Sequence, residues 1–114
     1  MNKSQFTGPI PLGNVVVKDG FWSPVMERVR TRMIPYQWEA LNDRIGGAEP
    51  SYCLRNFKLA AELTHPELDY GVPRDAGHGG FVFQDSDLAK WLEAAAYSLV
   101  WHPDPAWEKI ADET

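Results

Sequence analysis

Cysteine is the scarcest informative residue in this sequence of 114 residues. Cys53 is the single one, so a disulfide within the chain is excluded, and a zinc site that draws on several thiolates lacks its ligands. Cys53 stands beside Leu54 near a predicted helix start, where a lone cysteine is most often a small buried hydrophobic residue. The competing interpretation, a thiolate favoured by the helix start, has no neighbouring His or second Cys in its support.

Metal-binding spacings are missing among the histidines as well. His65, His78 and His102 lie thirteen and twenty-four residues apart, and these separations match no metal motif. Two of the three stand at predicted helix ends, where a histidine interacts favourably with the carbonyl dipole. His78 stays open as a ligand-facing residue, because the glycines around it in DAGHGGF allow the backbone to approach a ligand closely.

Long apolar runs and a basic surface are also absent. The net charge is −5 and the pI about 5.1, which argues against a nucleic-acid partner. No apolar run is long enough to span a bilayer, and the N-terminal MNKSQFTGPIPLG has no apolar core of the length that a secretory signal requires. The sequence therefore predicts a cytoplasmic protein that binds neither nucleic acid nor a membrane.

Aromatic residues are abundant. The chain has five Trp, four Tyr and five Phe, and each such side chain buries about 150–250 Å² when it is packed. Either the core is unusually aromatic, or much of this surface is meant to contact something outside these residues. The segment Ile34–Asp43, IPYQWEALND, mixes aromatic and polar groups as sugar-binding surfaces do, and equally as a helix half-buried in a core does.

Residues 1–22 are predicted to form an irregular lead-in that contains one short β-strand. The first residues are rich in Pro and Gly, which favours irregular structure. Val15–Val17 is a β-branched run that ends in a turn at Gly20, the pattern of a brief strand. A strand needs a partner for its backbone groups, and no second convincing strand follows, so its partner is expected outside these residues.

Residues 23–114 predict helices joined by loops, beginning with an interrupted helix. Ser23-Pro24 combines a preferred N-cap with a proline at the first helical position. Apolar residues from Val25 to Ile45 then recur at helical spacing. Pro35 interrupts this pattern, so we expect a kinked helix or two helices end to end, terminated by Gly46-Gly47.

Three further helices are predicted by their caps and apolar periodicity. The second has Ser51 as its probable cap and runs to about Thr64. Residues 66–80, PELDYGVPRDAGHGG, form a long loop of the kind that is either functional or disordered. The third helix ends at His102-Pro103, and Asp104-Pro105 starts the fourth.

The third helix starts in FVFQDSDLAKWLEAAAY, where Gln84, Asp85 and Asp87 are the candidate ligand-binding residues. Two interpretations stay open. Acidic and hydroxyl residues at a helix start cap free N–H groups and complement the macrodipole, whereas Gln84 has the donor and acceptor groups that orient a polar ligand. Glycosidases use paired carboxylates, but Asp85 and Asp87 diverge by roughly 200° on a helix, so they are not expected to act as a dyad.

Several segments in order resemble one known family. Residues Phe21–Asp43, the segments NFKLAAEL and GGFVFQDSD, and WHPDPAWE (Trp101–Glu108) are similar to the amino-terminal part of the β-L-arabinofuranosidases of glycoside hydrolase family 127. The resemblance covers residues 15–114. It implies a mainly α fold in which residues 23–114 supply the first helical hairpins of an (α/α)₆ barrel, apparently incomplete, with the Val15–Val17 strand pairing with a downstream β-sandwich.

The same resemblance implies a carbohydrate-degrading hydrolase. The family performs retaining hydrolysis of β-L-arabinofuranosides, with a cysteine nucleophile in a zinc site and a glutamate as acid/base. It places these groups downstream of the matched segments, and Cys53 corresponds to none of them. The expected function is therefore an N-terminal glycosidase fragment, inactive and without a cofactor by itself, with zinc in the full-length protein.

The resemblance also indicates partners. An L-arabinofuranoside-type sugar is expected for the full-length protein, with Gln84, Asp85 and Asp87 bordering its pocket at the barrel mouth. Apolar helix faces without neighbours would lead the isolated chain to self-associate. The alternative from another class is a free-standing, non-catalytic helical module that binds a carbohydrate or a protein partner.

Overall fold

The computed structural model describes residues 8–114, and within them the fold is built from helices. Residues 1–7, the first part of the predicted lead-in, lie outside the described residues. Short 3₁₀ turns at Leu12–Asn14 and Val82–Gln84 and a π-helical stretch at Val29–Met33 accompany the α-helices. The α-helices are α1 (Trp22–Arg28), α2 (Ile34–Leu41), α3 (Cys53–Thr64), α4 (Asp85–Trp101) and α5 (Pro105–Glu113).

The predicted strand at Val15–Val17 is not formed within the described part of the chain. Val15 is extended, with φ −107° and ψ 125°, but no other segment of residues 8–114 pairs with it. Side chains satisfy its carbonyls instead: the Trp101 indole N–H donates to the Val15 carbonyl at 2.9 Å, and the Ser23 hydroxyl donates to the Val17 carbonyl at 3.2 Å. An extended β-branched run becomes a strand only where a partner edge is present.

The first helix begins one residue earlier than predicted, and a different side chain caps it. The Asp19 carboxylate accepts hydrogen bonds from the backbone N–H groups of Phe21, at 2.8 Å, and Trp22. Ser23, the predicted cap, lies inside α1, and its hydroxyl accepts from the Asp19 N–H at 3.2 Å. Asp is as good a capping residue as Ser, so sequence preference alone could not decide between them.

The interruption at Pro35 is accommodated inside one continuous helical run. The π-helical stretch Val29–Met33 joins α1 to α2, and Pro35 occupies the first turn of α2. Because a π turn spaces its hydrogen bonds more widely than an α turn, the missing proline N–H is absorbed there without ending the run. The helical run predicted on both sides of Pro35 is thus present, with a π-helical segment between its two α-helices.

The end of this helix was predicted at Gly46-Gly47, which is wrong. The α2 helix ends at Leu41, where Asp43 adopts a left-handed conformation with φ 57°. The N–H of Asp43 bonds to the carbonyl of Ala40 at 3.0 Å, and the N–H of Arg44 to that of Glu39 at 2.9 Å. These are the two bonds of a Schellman motif, with aspartate in the position that glycine usually takes.

The other predicted helices agree well with the structure. The Ser51 hydroxyl accepts from the Cys53 N–H at 3.2 Å, and α3 ends at Thr64 as expected. The α4 helix ends at Trp101, directly before His102-Pro103. The Asp104 carboxylate caps α5 by accepting from the N–H groups of Ala106, at 3.0 Å, and Trp107, at 3.3 Å.

The core lies where α2, α3 and α4 meet, with α5 packed against it, and Trp91 of α4 is its centre. Trp91 is 2% exposed. Its ring stacks on Trp38 with the centroids 4.7 Å apart, and meets Trp107 edge-on at 6.1 Å. Its indole N–H donates to the Ile34 carbonyl at 3.0 Å. The other buried hydrophobic residues of this cluster are Ile34, Leu41, Cys53, Leu54, Leu88 and Ala95.

A large apolar surface remains in solvent. The accessible surface is 8806 Å², whereas a folded monomer of this mass exposes about 6,300 Å². The radius of gyration is 18.6 Å, compared with about 13 Å for a compact domain of this length. Exposed aromatic residues include Phe21, Trp22, Tyr36, Phe57, Phe81 and Phe83. The helices therefore bury one side and leave apolar side chains on the other.

The long loop after α3 is tied to that helix by a buried carboxylate. Glu62 is 2% exposed, and its Oε1 accepts from the backbone N–H of Tyr70 and, at 3.5 Å, from that of Val72. The Arg74 guanidinium adds a bond to the Pro66 carbonyl at 2.9 Å. A buried acid requires such partners, and here the loop backbone provides them.

Replacing Trp91 tests how the core is held together. Trp91→Ala should cost about 3–5 kcal/mol through the cavity that it leaves, whereas Trp91→Phe should cost about 1–3 kcal/mol, because the Ile34 carbonyl loses its donor. The measurement is amide hydrogen exchange of α2 and α4 at low micromolar protein. The matched control is Trp22→Phe at an exposed position, where the change should stay within about 0.5 kcal/mol. If the amides of Trp91→Phe exchange at the same rates as those of the wild type, the hydrogen bond to Ile34 adds no stability.

Candidate functional site

A groove with an apolar floor and a polar rim lies between α2 and α4. Its volume is about 720 Å³, and such a mixture of apolar and polar lining is typical of small-molecule sites. The floor consists of Val29, Met33, Ile34, Ala40, Leu41, Pro50, Trp91 and Ala94. The rim carries the polar side chains of Gln37, Glu49, Ser51, Gln84, Asp87 and Lys90.

The segment that closes one side of the groove is held by Asp43. The Asp43 carboxylate accepts from the N–H groups of Ser51, at 2.6 Å, and Tyr52, at 3.0 Å. The left-handed conformation that ends α2 at Asp43 thus also places Glu49 and Ser51 on the rim. A carboxylate that bonds backbone N–H groups makes a stronger hydrogen bond than a neutral acceptor, which fixes the segment firmly.

Gln84 lies on the groove, with its amide orientation set by the backbone. Its Oε1 accepts from the Phe81 N–H at 2.6 Å, which closes the 3₁₀ turn at Val82–Gln84. The carbonyl end of the side chain is therefore engaged locally. The amide nitrogen, a donor, is the end that has no protein partner among the described residues, so Gln84 can donate to a ligand in the groove.

Asp87 and Asp85 face different surroundings, as their angular separation predicted. Asp87 lines the groove, and its carboxylate pairs with the Lys90 ammonium at 3.1 Å. Asp85 is not part of the groove lining; its Oδ1 lies 3.9 Å from His78 Nε2. The structure thus brings Gln84 and Asp87 together on one rim, leaves Asp85 on the other side of α4, and forms no carboxylate dyad.

Side-chain capping does not explain the acidic helix start. No side chain makes a capping hydrogen bond to the first turn of α4 in residues 8–114, and the Asp85 Oδ1 is enclosed without a hydrogen-bond partner there. The carboxylates can still favour the helix through the macrodipole. The hydroxyl of Ser86 points back along the chain and donates to the Phe83 carbonyl at 2.8 Å.

Cys53 is a buried structural thiol. It is 0% exposed, and its Sγ contacts the Gln84 carbonyl at 3.3 Å, where the thiol donates. Burial raises the pKa of Cys53, and the neighbouring carboxylates, Asp85 among them, raise it further. A metal ligand must be a thiolate, so these surroundings do not fit zinc; within the described residues no three His, Cys, Asp or Glu side chains gather into a metal site.

The three histidines occupy separate places. His65 Nδ1 lies 3.4 Å from a Glu67 carboxylate oxygen on the surface, and His102 follows the end of α4. Both fit the helix-end role expected from sequence. His78 is different, because its Nε2 lies 3.1 Å from the Asn56 side-chain nitrogen, on the side of α4 where Asp85 stands.

Four polar groove residues were not predicted as site residues. Gln37 lies in IPYQWEALND, which the sequence marked as mixed aromatic and polar, and its neighbour Trp38 faces the core instead. Lys90 lies on the groove and pairs with Asp87 one turn away. Glu49 and Ser51 lie on the groove because the Asp43 carboxylate bonds backbone N–H groups across the loop. No local sequence pattern predicts such a contact.

Comparison with known proteins decides the family. The model of the β-L-arabinofuranosidase GH127 catalytic domain matches residues 14–114. The chain belongs to the GH127 catalytic-domain family. The resemblance identified from sequence segments is therefore confirmed over nearly the whole chain.

Two GH127 relatives show how much of such a protein this chain represents. It is 39% identical over 113 residues to a non-reducing end β-L-arabinofuranosidase of Bifidobacterium longum subsp. longum, covering 89% of this chain and 16% of that protein. The crystal structure of a GH127 β-L-arabinofuranosidase from Geobacillus stearothermophilus T6 is 52% identical, with a TM-score of 0.74, over 88% of this chain and 14% of that one. The GH127 chain studied here thus spans about a sixth of the length of these relatives.

In the described part of this GH127 chain, none of the helices is both long and apolar enough to cross a bilayer. The longest, α4, carries Asp85, Asp87, Lys90 and Glu93, and each such charge is costly in hydrocarbon.

The protonation of Cys53 gives a testable pH dependence. Because its pKa is raised on folding, the folded state favours the neutral thiol, and this contribution to stability is fully present below the unfolded pKa and is lost as the pH rises through the folded pKa. Iodoacetamide should therefore alkylate Cys53 far more slowly in the native chain than in guanidinium at the same pH. Alkylation that is equally fast in both states would contradict a buried thiol.

Proposed function

We propose that this chain forms part of the catalytic domain of a retaining glycoside hydrolase that acts on β-L-arabinofuranosides. The observation that carries the proposal is the match of its helices to a GH127 β-L-arabinofuranosidase at 52% identity and a TM-score of 0.74. In this proposal α1 to α5 are the first helical hairpins of an (α/α)₆ barrel. The family model over residues 14–114 supports it.

The open surface of the helices supports a role inside a larger domain. Trp22 is 59% exposed and Phe57 is 44% exposed, and patches of exposed apolar side chains are usually covered by a partner surface. We propose that further helices of the same catalytic domain cover them, and that the isolated chain self-associates. A free-standing module, the alternative, would be expected to bury this surface within itself, so the exposed side chains favour the larger domain.

The chemistry of the reaction is proposed to reside outside this chain. The family resemblance implies a zinc-held cysteine nucleophile, and zinc would stabilise the thiolate that attacks the sugar. The single cysteine here is buried and donates to a backbone carbonyl, so it does not fit that role. By itself the chain is proposed to be inactive and without a cofactor, and its cytoplasmic location stays a prediction from the sequence.

We propose that the groove between α2 and α4 borders the sugar-binding pocket. Met33, which is 47% exposed, supplies part of the floor, and Gln84 and Asp87 stand on the rim. The groove thus offers an apolar surface and hydrogen-bonding groups that suit a furanoside. Asp85, the third of the predicted ligand-binding residues, lies on the side of α4 that faces His78. The L-arabinofuranoside-type sugar is the proposed ligand of this pocket in the full-length protein.

Segment exchange tests the proposed function. Residues 14–114 replace the matched residues of the Geobacillus stearothermophilus enzyme, and the chimera should hydrolyse an aryl β-L-arabinofuranoside because the helices keep their family packing. The control is the same chimera with Trp91→Ala, which should lose folded, active protein. The isolated 114-residue chain should show no hydrolysis and a mass that increases with concentration. A soluble chimera with native helix content but no hydrolysis would refute the proposal.

Rim substitutions in the same chimera test the pocket. Gln84→Glu removes the donor but keeps the oxygen that bonds Phe81, so KM should increase about tenfold through one lost hydrogen bond. Asp87→Asn should have a similar effect, and Asp85→Asn a smaller one, since Asp85 lies away from the groove. Glu93→Gln, on the exposed face of α4, is the control and should leave KM unchanged. Unchanged kinetics in both rim variants would remove these residues from the pocket.

A further inference from the structure

The last residues of the 66–80 loop are fixed by one buried amide of α3. Asn56 is 6% exposed. Its Oδ1 accepts from the Gly79 N–H at 3.1 Å, and its Nδ2 donates to the Gly79 carbonyl at 2.9 Å. A side-chain amide that pairs with both polar groups of one backbone residue holds that residue as a neighbouring strand would. Asn56 therefore holds Gly79 in place from both directions.

The same amide selects the tautomer of the neighbouring imidazole. Asn56 Nδ2 also lies 3.1 Å from His78 Nε2. Because an amide nitrogen can only donate, His78 Nε2 must be the acceptor, and a neutral imidazole then carries its proton on Nδ1. Asp85 Oδ1 is 3.9 Å from the same Nε2, beyond hydrogen-bond distance. His78 is thus paired with Asn56 and stands beside Asp85.

The His78–Gly80 segment packs tightly against Gln84, so its position determines where the Gln84 side chain lies. A Cβ on Gly79 would lie 2.6 Å from the Tyr52 ring, and a Cβ on Gly80, whose φ is +71°, would lie 2.2 Å from Gln84 Oε1. The segment therefore passes between the Tyr52 ring and the Gln84 carbonyl with no space on either side. The Arg55 guanidinium adds a bond to the Gly77 carbonyl at 3.3 Å. A shift of His78–Gly80 would displace the Gln84 side chain.

We propose that Asn56 is a positioning residue that holds the His78–Gly80 segment against the start of α4 and thereby presents Gln84 to the groove through its amide nitrogen. Since Gln84 Oε1 is committed to the Phe81 N–H, the group it meets in the groove must be an acceptor, such as a hydroxyl or ring oxygen of a sugar. The identity of the ligand in the groove rests on the proposed function. The arrangement of Asn56, His78 and Gly79 is independent of that function.

Two measurements on the full 114-residue chain test the proposal without a substrate. Amide exchange followed by mass spectrometry reports on peptides from residues 76–84, and on residues 66–72, which Glu62 holds, as an internal reference. Carbethoxylation by diethyl pyrocarbonate reports on His78, since the reagent attacks an available neutral imidazole nitrogen. The side chain of His78 is 44% exposed and that of His65 is 63% exposed, so His65 serves as the reference histidine. Both assays are run at low micromolar protein in order to limit self-association.

The wild-type chain and three variants separate the roles of the amide. In the wild type, His78 should react at least about tenfold more slowly than His65, because Asn56 engages its Nε2. Asn56→Ala should raise both the His78 rate and the exchange of residues 76–84 about tenfold or more, with residues 66–72 unchanged. Asn56→Asp keeps an acceptor for the Gly79 N–H but no donor, so His78 should react as in Asn56→Ala while exchange rises less. Lys58→Ala, an exposed change on the same helix, should match the wild type.

Three results would overturn the proposal. The first is a wild-type His78 that reacts as fast as His65. The second is unchanged exchange of residues 76–84 in Asn56→Ala. The third is loss of the far-ultraviolet helix signal in both Asn56 variants, which would make the residue a general support of the fold. Each differs from failure of the proposed function, which shows as an inactive but folded chimera.

Discussion

The position of the Trp91 indole is the constraint on which the rest of the structure depends. Its ring fills the space between α2 and α5, and its N–H bonds the Ile34 carbonyl at 3.0 Å, so α4 can approach α2 in one rotational setting only. That setting points Leu88 and Ala95 into the core and turns Asp87 and Lys90 toward the groove. Because a Trp buries more area than any other side chain and needs a partner for its N–H, packing and polar satisfaction act together here.

Polar side chains position the loops beyond the small core. Asp43, Asn56 and Glu62 each bond backbone N–H groups of a loop that follows their own helix. Asn56 and Glu62 are buried, where polar groups need such hydrogen bonds, whereas Asp43 is exposed. The groove and the His78 segment are therefore positioned by polar anchors, whereas the helices that carry them are positioned by hydrophobic contacts.

Local signals predicted the parts of the fold that local physics controls. The cap at Asp104 and the breaker at His102-Pro103 set the limits of α4 and α5, and Ser51, one residue before the N-cap Tyr52, bonds the first N–H of α3. The spacing of Asp85 and Asp87 likewise predicted that the two carboxylates would diverge. The Val15–Val17 strand failed because pairing depends on a distant edge, and the end of α2 was missed because Asp43 adopts a conformation that glycine usually takes. The rim residues Glu49 and Ser51 depend on a tertiary hydrogen bond that no sequence period encodes.

The large exposed surface of this chain agrees with its membership of a family of much longer proteins. A surface of 8806 Å² exceeds that of a compact monomer by about 2,500 Å², an area comparable to the large interfaces of obligate assemblies. At about 25 cal/mol per Å², covering even the apolar half of that excess would stabilise the helices by tens of kcal/mol before the entropy of ordering is subtracted. The proposed role inside a larger catalytic domain would cover this surface and supply that stabilisation. The Cys53 thiol packs α3 against α4 and donates to the Gln84 carbonyl, so within this chain it serves packing.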